Sequence, residues 1–329
     1  MRAPGFWHEP SGVLSGLLSP FGALYAAGTA RRLRRGARAS VGVPVICIGN
    51  INAGGTGKTP TAIAVAQKMS DRGVSAHAVT RGYGGELEGP IRVDERAHTA
   101  NDVGDEALLL AAFLPTWVSA DRLAGAQAAV AAGAECLILD DGFQNPALAY
   151  DLSVIVVDAW RGFGNGHVIP AGPLREPIDV GLGRADMVLS IGPDVAQQRF
   201  KKAWGARVTL PHLTGALEPL PTGLPLDGLP VLAFAGIGHP EKFFQTLRSL
   251  GADLHATHAL ADHQPLSDTL MTRLLREAYQ RGAQVVTTEK DAVRLSPEFR
   301  AQVMTVPVRL QVDDWSPLDA ALDRILATA

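Results

Sequence analysis

Cysteine is scarce in this 329-residue chain: the two present, Cys47 and Cys136, both sit in apolar, strand-like runs. They read as small buried hydrophobes, which argues against a disulfide scaffold or a thiolate metal centre and fits a reducing compartment. An excess of charge is missing too. A net charge of −3 offers no general attraction to nucleic acid, so no nucleic-acid partner is expected, and nothing implies an obligate protein partner. Low-complexity tracts and repeats of fixed period are lacking. What remains is globular in composition, 47% hydrophobic and 19% charged. The length suits two domains or one large α/β unit.

Charge is lacking altogether from Ser11 to Ala30. A run of about 20 apolar residues can span a bilayer, but Gly12, Gly16, Gly22, Gly28 and Pro20 interrupt this one. After Val13, the large apolar residues Leu14, Leu17, Leu18, Phe21, Leu24 and Tyr25 recur on one helical face, with Ser, Gly and Ala opposite. That one-sidedness predicts an amphipathic helix lying on a surface. Arg31, Arg32, Arg34, Arg35 and Arg38 follow, and each could add about 1 kcal/mol at an anionic leaflet. An apolar face plus a basic flank supplies the two signals that stable peripheral binding takes. A transmembrane anchor and a helix packed on the protein's own core are the competing readings. A secretory signal fits poorly with Glu9 at its front and an interrupted core.

Apolar strands then alternate with helical patterns, the mark of a mostly parallel sheet with helices on both faces. Strands are predicted at 43–48, 75–80, 116–118, 136–139, 152–157 and 187–191, with a strand-like run at 207–210. Helices are predicted at 61–70, 105–113, 122–132 and 195–204. Residues 211–230 hold five prolines and three glycines and read as a linker. A second, smaller α/β domain follows over 231–310, and a C-terminal helix within 311–329. Residues 1–40 form the amphipathic segment and 41–210 the core domain.

The central motif is Asn52-Ala53-Gly54-Gly55-Thr56-Gly57-Lys58-Thr59, between a strand and a helix. This is the context of a phosphate-binding P-loop, in which glycines let backbone N–H groups converge on phosphate oxygens. Lys58 would reach the β- and γ-phosphates of ATP, and the Thr59 hydroxyl would ligate Mg²⁺. The general pattern opens with Gly; here Asn52 stands there, a residue that tolerates left-handed backbone. Asp140 and Asp141 end the run Cys136–Leu139, the shape of an element that holds Mg²⁺ beside such a loop. Asp105 and Glu106 open a helix. They serve equally well as dipole partners, or as a base near an acceptor hydroxyl and a metal ligand.

Arg81-Gly82-Tyr83 follows a strand, at the carboxyl edge where ligands bind in open α/β sheets. Arg81 could hold a phosphate and Tyr83 could pack on a ring. The stretch from Gly164-Asn165-Gly166 to Pro173-Leu174-Arg175-Glu176-Pro177 is a rigid loop able to present Asn165 and Arg175 to an anionic substrate. Asp262-His263-Gln264 offers a histidine beside a carboxylate, suited to proton sharing near neutral pH. Thr288 with Asp291 resembles a capping box with Asp in place of Glu.

Taken in order, Asn52-x-Gly-Gly-Thr-Gly-Lys-Thr-Pro60, Arg81-Gly-Tyr-Gly, Gly104-Asp-Glu, Asp140-Asp-Gly-Phe-Gln144, Pro173-Leu-Arg-Glu-Pro177, Asp262-His-Gln and Thr288-Glu-Lys-Asp291 resemble the tetraacyldisaccharide 4'-kinase (lipid A 4'-kinase) family. The resemblance covers nearly the whole chain and accounts for Asn52; Ala107 stands where that family commonly has Pro. It implies transfer of the γ-phosphate of ATP, with Mg²⁺, to the 4'-hydroxyl of a tetraacylated disaccharide 1-phosphate. It implies work at the cytoplasmic face of the bacterial inner membrane. By carry-over, Asp105 and His263 form a catalytic pair with Asp105 as base, and Lys58 with the loop amides holds phosphate. Thr59, Glu106, Asp140 and Asp141 are then the metal candidates, and Arg81, Arg122 and Arg175 contact substrate or phosphate. The rival readings are a nucleotide-switched NTPase, which would typically carry Lys where Ala53 stands, a kinase of a soluble metabolite, and an ATP-binding scaffold without activity.

Overall fold

The computed structural model describes residues 4–36, 38–221, 223, 226–262 and 264–328. Among these, the strands are β1 (Val45–Gly49), β2 (Ala76–Thr80), β3 (Ile91–Arg92), β4 (Thr116–Val118), β5 (Cys136–Asp140), β6 (Leu152–Asp158), β7 (Met187–Ile191), β8 (His212–Pro219), β9 (Pro230–Ala235), β10 (Asp253–Ala259), β11 (Gln284–Thr288), β12 (Met304–Val306) and β13 (Val308–Val312). They assemble into a nine-stranded sheet of order β13-β8-β7-β6-β1-β5-β2-β4-β3 and a four-stranded sheet of order β10-β9-β11-β12. The large sheet is parallel except at its rims, where β3 and β13 run antiparallel to β4 and β8. Every residue of β1, β5 and β6 is buried, as expected of central parallel strands covered on both faces. The α/β class and the helix-flanked parallel sheet therefore match the sequence reading.

The chain departs from that reading between the two sheets. Residues 207–210 do not form a strand, and the segment read as a linker over 211–230 contains β8, which pairs in parallel with β7. Its prolines sit at the ends of the strand, where a missing N–H costs no ladder bond. Nor does the second unit run on to residue 310. β13 leaves it to pair with β8, with Leu310 opposite Leu217. The C-terminal helix Ser316–Ala327 then returns to the large sheet and buries Leu318, Leu322 and Ile325 in the same core as Ile46 and Val65. Each such side chain contributes about 1.5–3 kcal/mol. Asp319 on this helix accepts from Lys68 at 3.0 Å and Arg72 at 2.9 Å, fixing its register on the helix that follows β1.

The N-terminal helix α1 (Val13–Arg35) inverts the usual arrangement. Its buried stripe is Ser15, Gly22, Thr29 and Leu33, whereas Val13, Leu17 and Leu24 are 83%, 69% and 71% exposed. Small residues let the helix lie close: a Cβ on Gly22 would stand 2.8 Å from the Val168 carbonyl oxygen. The large apolar face is left outward.

Candidate active site

The site is built at the carboxyl edge of the large sheet. β1 runs into the P-loop, and α2 (Lys58–Asp71) begins directly after Gly57. Gly57 is left-handed at φ 97°, and a Cβ there would come within 2.7 Å of Ile191 Cδ1, so no other residue suits the position. Pro60 falls in the first turn of α2, where a missing N–H costs nothing. Asn50, fully buried, donates from Nδ2 to the Gly54 carbonyl and to Thr56 Oγ1, both at 3.2 Å, and so braces the loop from inside. Asn52 donates to the Gly162 carbonyl at 3.0 Å, and the Ala53 N–H donates to the Pro173 carbonyl at 2.7 Å. The phosphate loop is thus tied to residues 162–173.

β1 and β5 are neighbours with Ile48 opposite Asp140, which sets Asp140 beside the start of α2. Thr59 Oγ1 donates to Asp140 Oδ2 at 3.1 Å. Asp141 turns away in a left-handed conformation, φ 59°. It lies 3.8 Å from Lys58 Nζ and 3.0 Å from Arg175 Nη1. The two adjacent carboxyls therefore behave oppositely. Burial, and then the charge of Glu106, push Asp140 up to about 7. Burial would raise Asp141 as well, but Lys58 and Arg175 outweigh it and hold that carboxyl below the usual range. Asp140 Oδ1 is buried with no hydrogen-bond partner among the described residues. A hard cation would take that oxygen and relieve the repulsion with Glu106. Among the described residues no three His, Cys, Asp or Glu side chains converge on one point. Magnesium fits even so, because it commonly keeps waters and takes one or two carboxylates plus substrate phosphates.

Asp105 and Glu106 open the helix Asp105–Ala111, and Asp105 is only 3% exposed. Its Oδ1 accepts the N–H of the next residue, Glu106, at 2.9 Å in the first turn of that helix. Both carboxylates also face cations from the four-stranded sheet. Lys290 Nζ is 3.0 Å from Glu106, and Arg294 Nε is 3.9 Å from Asp105. Burial alone would depress the Lys290 ammonium, but Glu106, Asp105 and Asp262 outweigh it and raise its pKa. The loop carrying Arg81 and Tyr83 is held against residues 101–102 by Glu86 N–H to the Asn101 carbonyl and Leu87 N–H to the Asp102 carbonyl, each 2.9 Å. Arg81 is exposed and Tyr83 is 71% exposed. Arg122 is buried, donates to the Ser119 carbonyl at 2.6 Å, and is depressed first by burial, with Asp141 opposing.

Two candidates stand differently from the rest. His263 lies outside the described residues. Asn165 is committed to architecture: its amide donates to Ser15 Oγ at 3.0 Å and to the Ala171 carbonyl at 2.9 Å, and its Oδ1 accepts the His167 N–H at 3.1 Å. It seats α1 rather than facing the P-loop residues through any of these bonds. The capping reading at Thr288 is half met: its hydroxyl accepts the Asp291 N–H at 3.1 Å. The Asp291 carboxylate goes instead to the Gly236 N–H.

Sequence reasoning passed over a buried chain behind Arg175. Gln144 accepts from Arg175 at 3.1 Å and donates to the Asn50 carbonyl at 2.7 Å and to Glu176 at 3.0 Å. Glu176, 1% exposed, is paired with Arg184 at 2.6 Å. A carboxylate inside the Pro173–Pro177 run was the available signal, since such a residue buries only with a partner.

Comparison with known proteins agrees with this geometry. A sequence profile described as Tetraacyldisaccharide-1-P 4'-kinase matches residues 14–327. The tetraacyldisaccharide 4'-kinase of Jannaschia sp. (strain CCS1) is 82% identical over 99% of this chain and 99% of its own. That of Dinoroseobacter shibae is 62% identical over 100% of this chain and 99% of its own. Among solved structures, the "apo" form of LpxK from Aquifex aeolicus in complex with ATP superposes with a TM-score of 0.76 at 25% identity, covering 95% of this chain and 100% of that one.

Proposed function

The chain belongs to the tetraacyldisaccharide-1-P 4'-kinase family, and on that footing we propose which of its residues carry the reaction and where it takes place. It is an ATP-dependent kinase of lipid A biosynthesis acting on an acylated disaccharide 1-phosphate. The acceptor is the 4'-hydroxyl and the donor the γ-phosphate of ATP. What supports the residue assignment is that Asp140 and Asp141 meet Thr59 and Lys58 of the glycine-rich loop, with Glu106, the neighbour of the buried Asp105, close enough to raise Asp140.

Lys58 and the amides of residues 54–59 hold the β- and γ-phosphates. Asp105 accepts the proton of the 4'-hydroxyl as that oxygen attacks, with His263 as its partner by family resemblance. Thr59 and Asp140 would hold magnesium, with Asp141 and Glu106 beside them; when bound, the ion supplies charge neutralisation across the transferring phosphoryl group. Arg175, gripped by Asp141 and Gln144, and Arg81 and Arg122 at the neighbouring strand ends are positioned for anionic groups of the two substrates.

An acceptor anchored by acyl chains must be met at a membrane surface. α1 is long and apolar enough to cross a bilayer by length and composition, and only 17% of its apolar window is buried. Its small-residue stripe is engaged with the protein, which favours a helix lying on the leaflet with Leu17, Phe21 and Leu24 inserted. The arginines after Ala30 then suit anionic headgroups at the cytoplasmic face, where ATP is available.

The test is ATP-dependent phosphorylation of tetraacyldisaccharide 1-phosphate in mixed micelles. New phosphate is expected at the 4'-hydroxyl, and Asp105→Ala should lower the rate by about 10²-fold or more. ATP hydrolysis with no acceptor phosphorylation would overturn the assignment.

A further inference from the structure

Arg294 follows the short helix Glu289–Ala292 at the end of β11, on the four-stranded sheet. Its surroundings are unusual for an arginine. The side chain is 8% exposed, and Asp291, its ion-pair partner, is fully buried. Asp291 is itself immobilised, accepting the Gly236 N–H on both oxygens at 3.1 Å and the Thr288 hydroxyl at 2.7 Å. Arg294 Nη2 also donates to the Gly236 carbonyl at 3.3 Å, and Nη1 donates to the Gln264 carbonyl at 3.0 Å. The guanidinium is therefore fixed to the ends of β9 and β11 while gripping the Gln264 carbonyl. Nε is buried and has no hydrogen-bond partner among the described residues. It stands 3.9 Å from Asp105 Oδ2 on the large sheet.

A buried N–H left unmatched is costly, and an approach of about 1 Å would turn this contact into a charge-assisted hydrogen bond. The other oxygen of Asp105 is already committed to the N–H at the start of its own helix. We propose that Arg294 is a positioning residue for phosphoryl transfer: it orients the Asp105 carboxylate across the gap between the sheets while holding the Gln264 carbonyl in the same grip. The base is thereby tied to the smaller sheet through one side chain. The planar, five-donor guanidinium is needed for this, since an ammonium cannot serve three oxygens in a plane and still present a donor sideways. The inference rests on Asp105 being the base.

The experiment is a double-mutant cycle on kcat in the mixed-micelle assay, with thermal melts of each variant. Arg294→Met is expected to lower kcat about 10- to 100-fold, the cost of a misplaced reacting group. Both KM values should stay within about 2-fold. In an Asp105→Asn background the same change should cost less than about 3-fold, because residues that act as a unit are not additive. Arg294→Lys should fall between wild type and Arg294→Met. If Arg294→Met shows no folding transition, Arg294→Lys is carried through the cycle instead. An equal loss in both backgrounds, or a loss confined to KM, overturns the inference. Wild-type kcat in Asp105→Asn alone removes the base assignment and this inference with it, so the two failures are read from different variants.

Discussion

β1 and β5 of the large sheet are buried at every position, whereas β10, at the edge of the four-stranded sheet, alternates between exposed and half-buried along its length. Both sheets come from the same strand–helix alternation, yet they hold their loops by different means. The P-loop and Asp140 issue from strands clamped between two layers of core, so their geometry follows from packing. Lys290 and Arg294 reach the site from the smaller sheet through polar contacts, and beside them Val293 packs on the apolar cluster of Val103, Ala107 and Leu108. Lys242 to Asp158 at 2.7 Å and Arg161 to His239 at 3.4 Å belong to the same polar set. Packing thus sets the rigid half, and polar contacts carry most of what joins the other half to it.

The largest expected effect lies on the rigid half. Lys58→Met should lower kcat/KM by about 10³-fold, because a charge aimed at the transferring phosphoryl group acts mostly in the transition state. Steady-state kinetics with both substrates checks this, and a loss under about 10-fold would show that the fixed half is not where the stabilisation resides. Next comes the spanning contact. Lys290→Ala should cost about 10-fold in kcat through loss of its grip on Glu106, with an unchanged melting temperature. A melting temperature that drops instead would make Lys290 part of the packing and blur the contrast between the halves.

A smaller effect concerns pH. Burial, followed by Arg161 and Lys242, lowers His239 from 6.5 to about 4. A depressed folded pKa means that protons bind the unfolded chain better. The neutral imidazole therefore contributes stability that is full above pH 6.5 and is lost as pH falls through about 4. His239→Gln should flatten the fall in melting temperature over that window, measured against wild type at each pH. The smallest effect is expected on α1. Leu17→Ser and Leu24→Ser should move the melting temperature by less than about 1 °C, since exposed substitutions rarely exceed ±0.5 kcal/mol. The same pair should weaken flotation with anionic vesicles.

Most of the architecture was legible because it rests on local signals. The apolar runs now seen as β1, β5, β6 and β7 announced a buried parallel sheet, and Gly57-Lys58-Thr59 does stand between a strand and a helix. β8 was not legible: Pro211, Pro219 and Pro221 mask a strand whose identity comes from its pairing with β7 and β13. The return of β13 to the large sheet has the same character, since pairing between residues 310 and 217 leaves no local trace. At the site, Asp105, Glu106, Asp140 and Asp141 were visible as acids at strand and helix ends. The opposite behaviour of Asp140 and Asp141 was not, because it depends on which one Lys58 and Arg175 face. Gln144, Glu176 and Arg294 act through long-range contacts, and only Glu176, a carboxylate in an apolar, proline-bounded run, carried a hint. Asn165, read as a substrate group in the rigid loop leading to Arg175, has its amide engaged in seating α1.

That loop has a consequence for how this protein can vary. Asn52 and Ala53 donate to the Gly162 and Pro173 carbonyls, and between those two points Asn165 fastens the helix that carries the exposed apolar side chains. The span from 162 to 173 is therefore a gauge with three fixed marks. Adding or removing one residue within it would pull either the glycine-rich loop or the N-terminal helix out of place. Length in this segment should resist change more strongly than any single side chain in it, while insertions elsewhere on the surface pass with little cost.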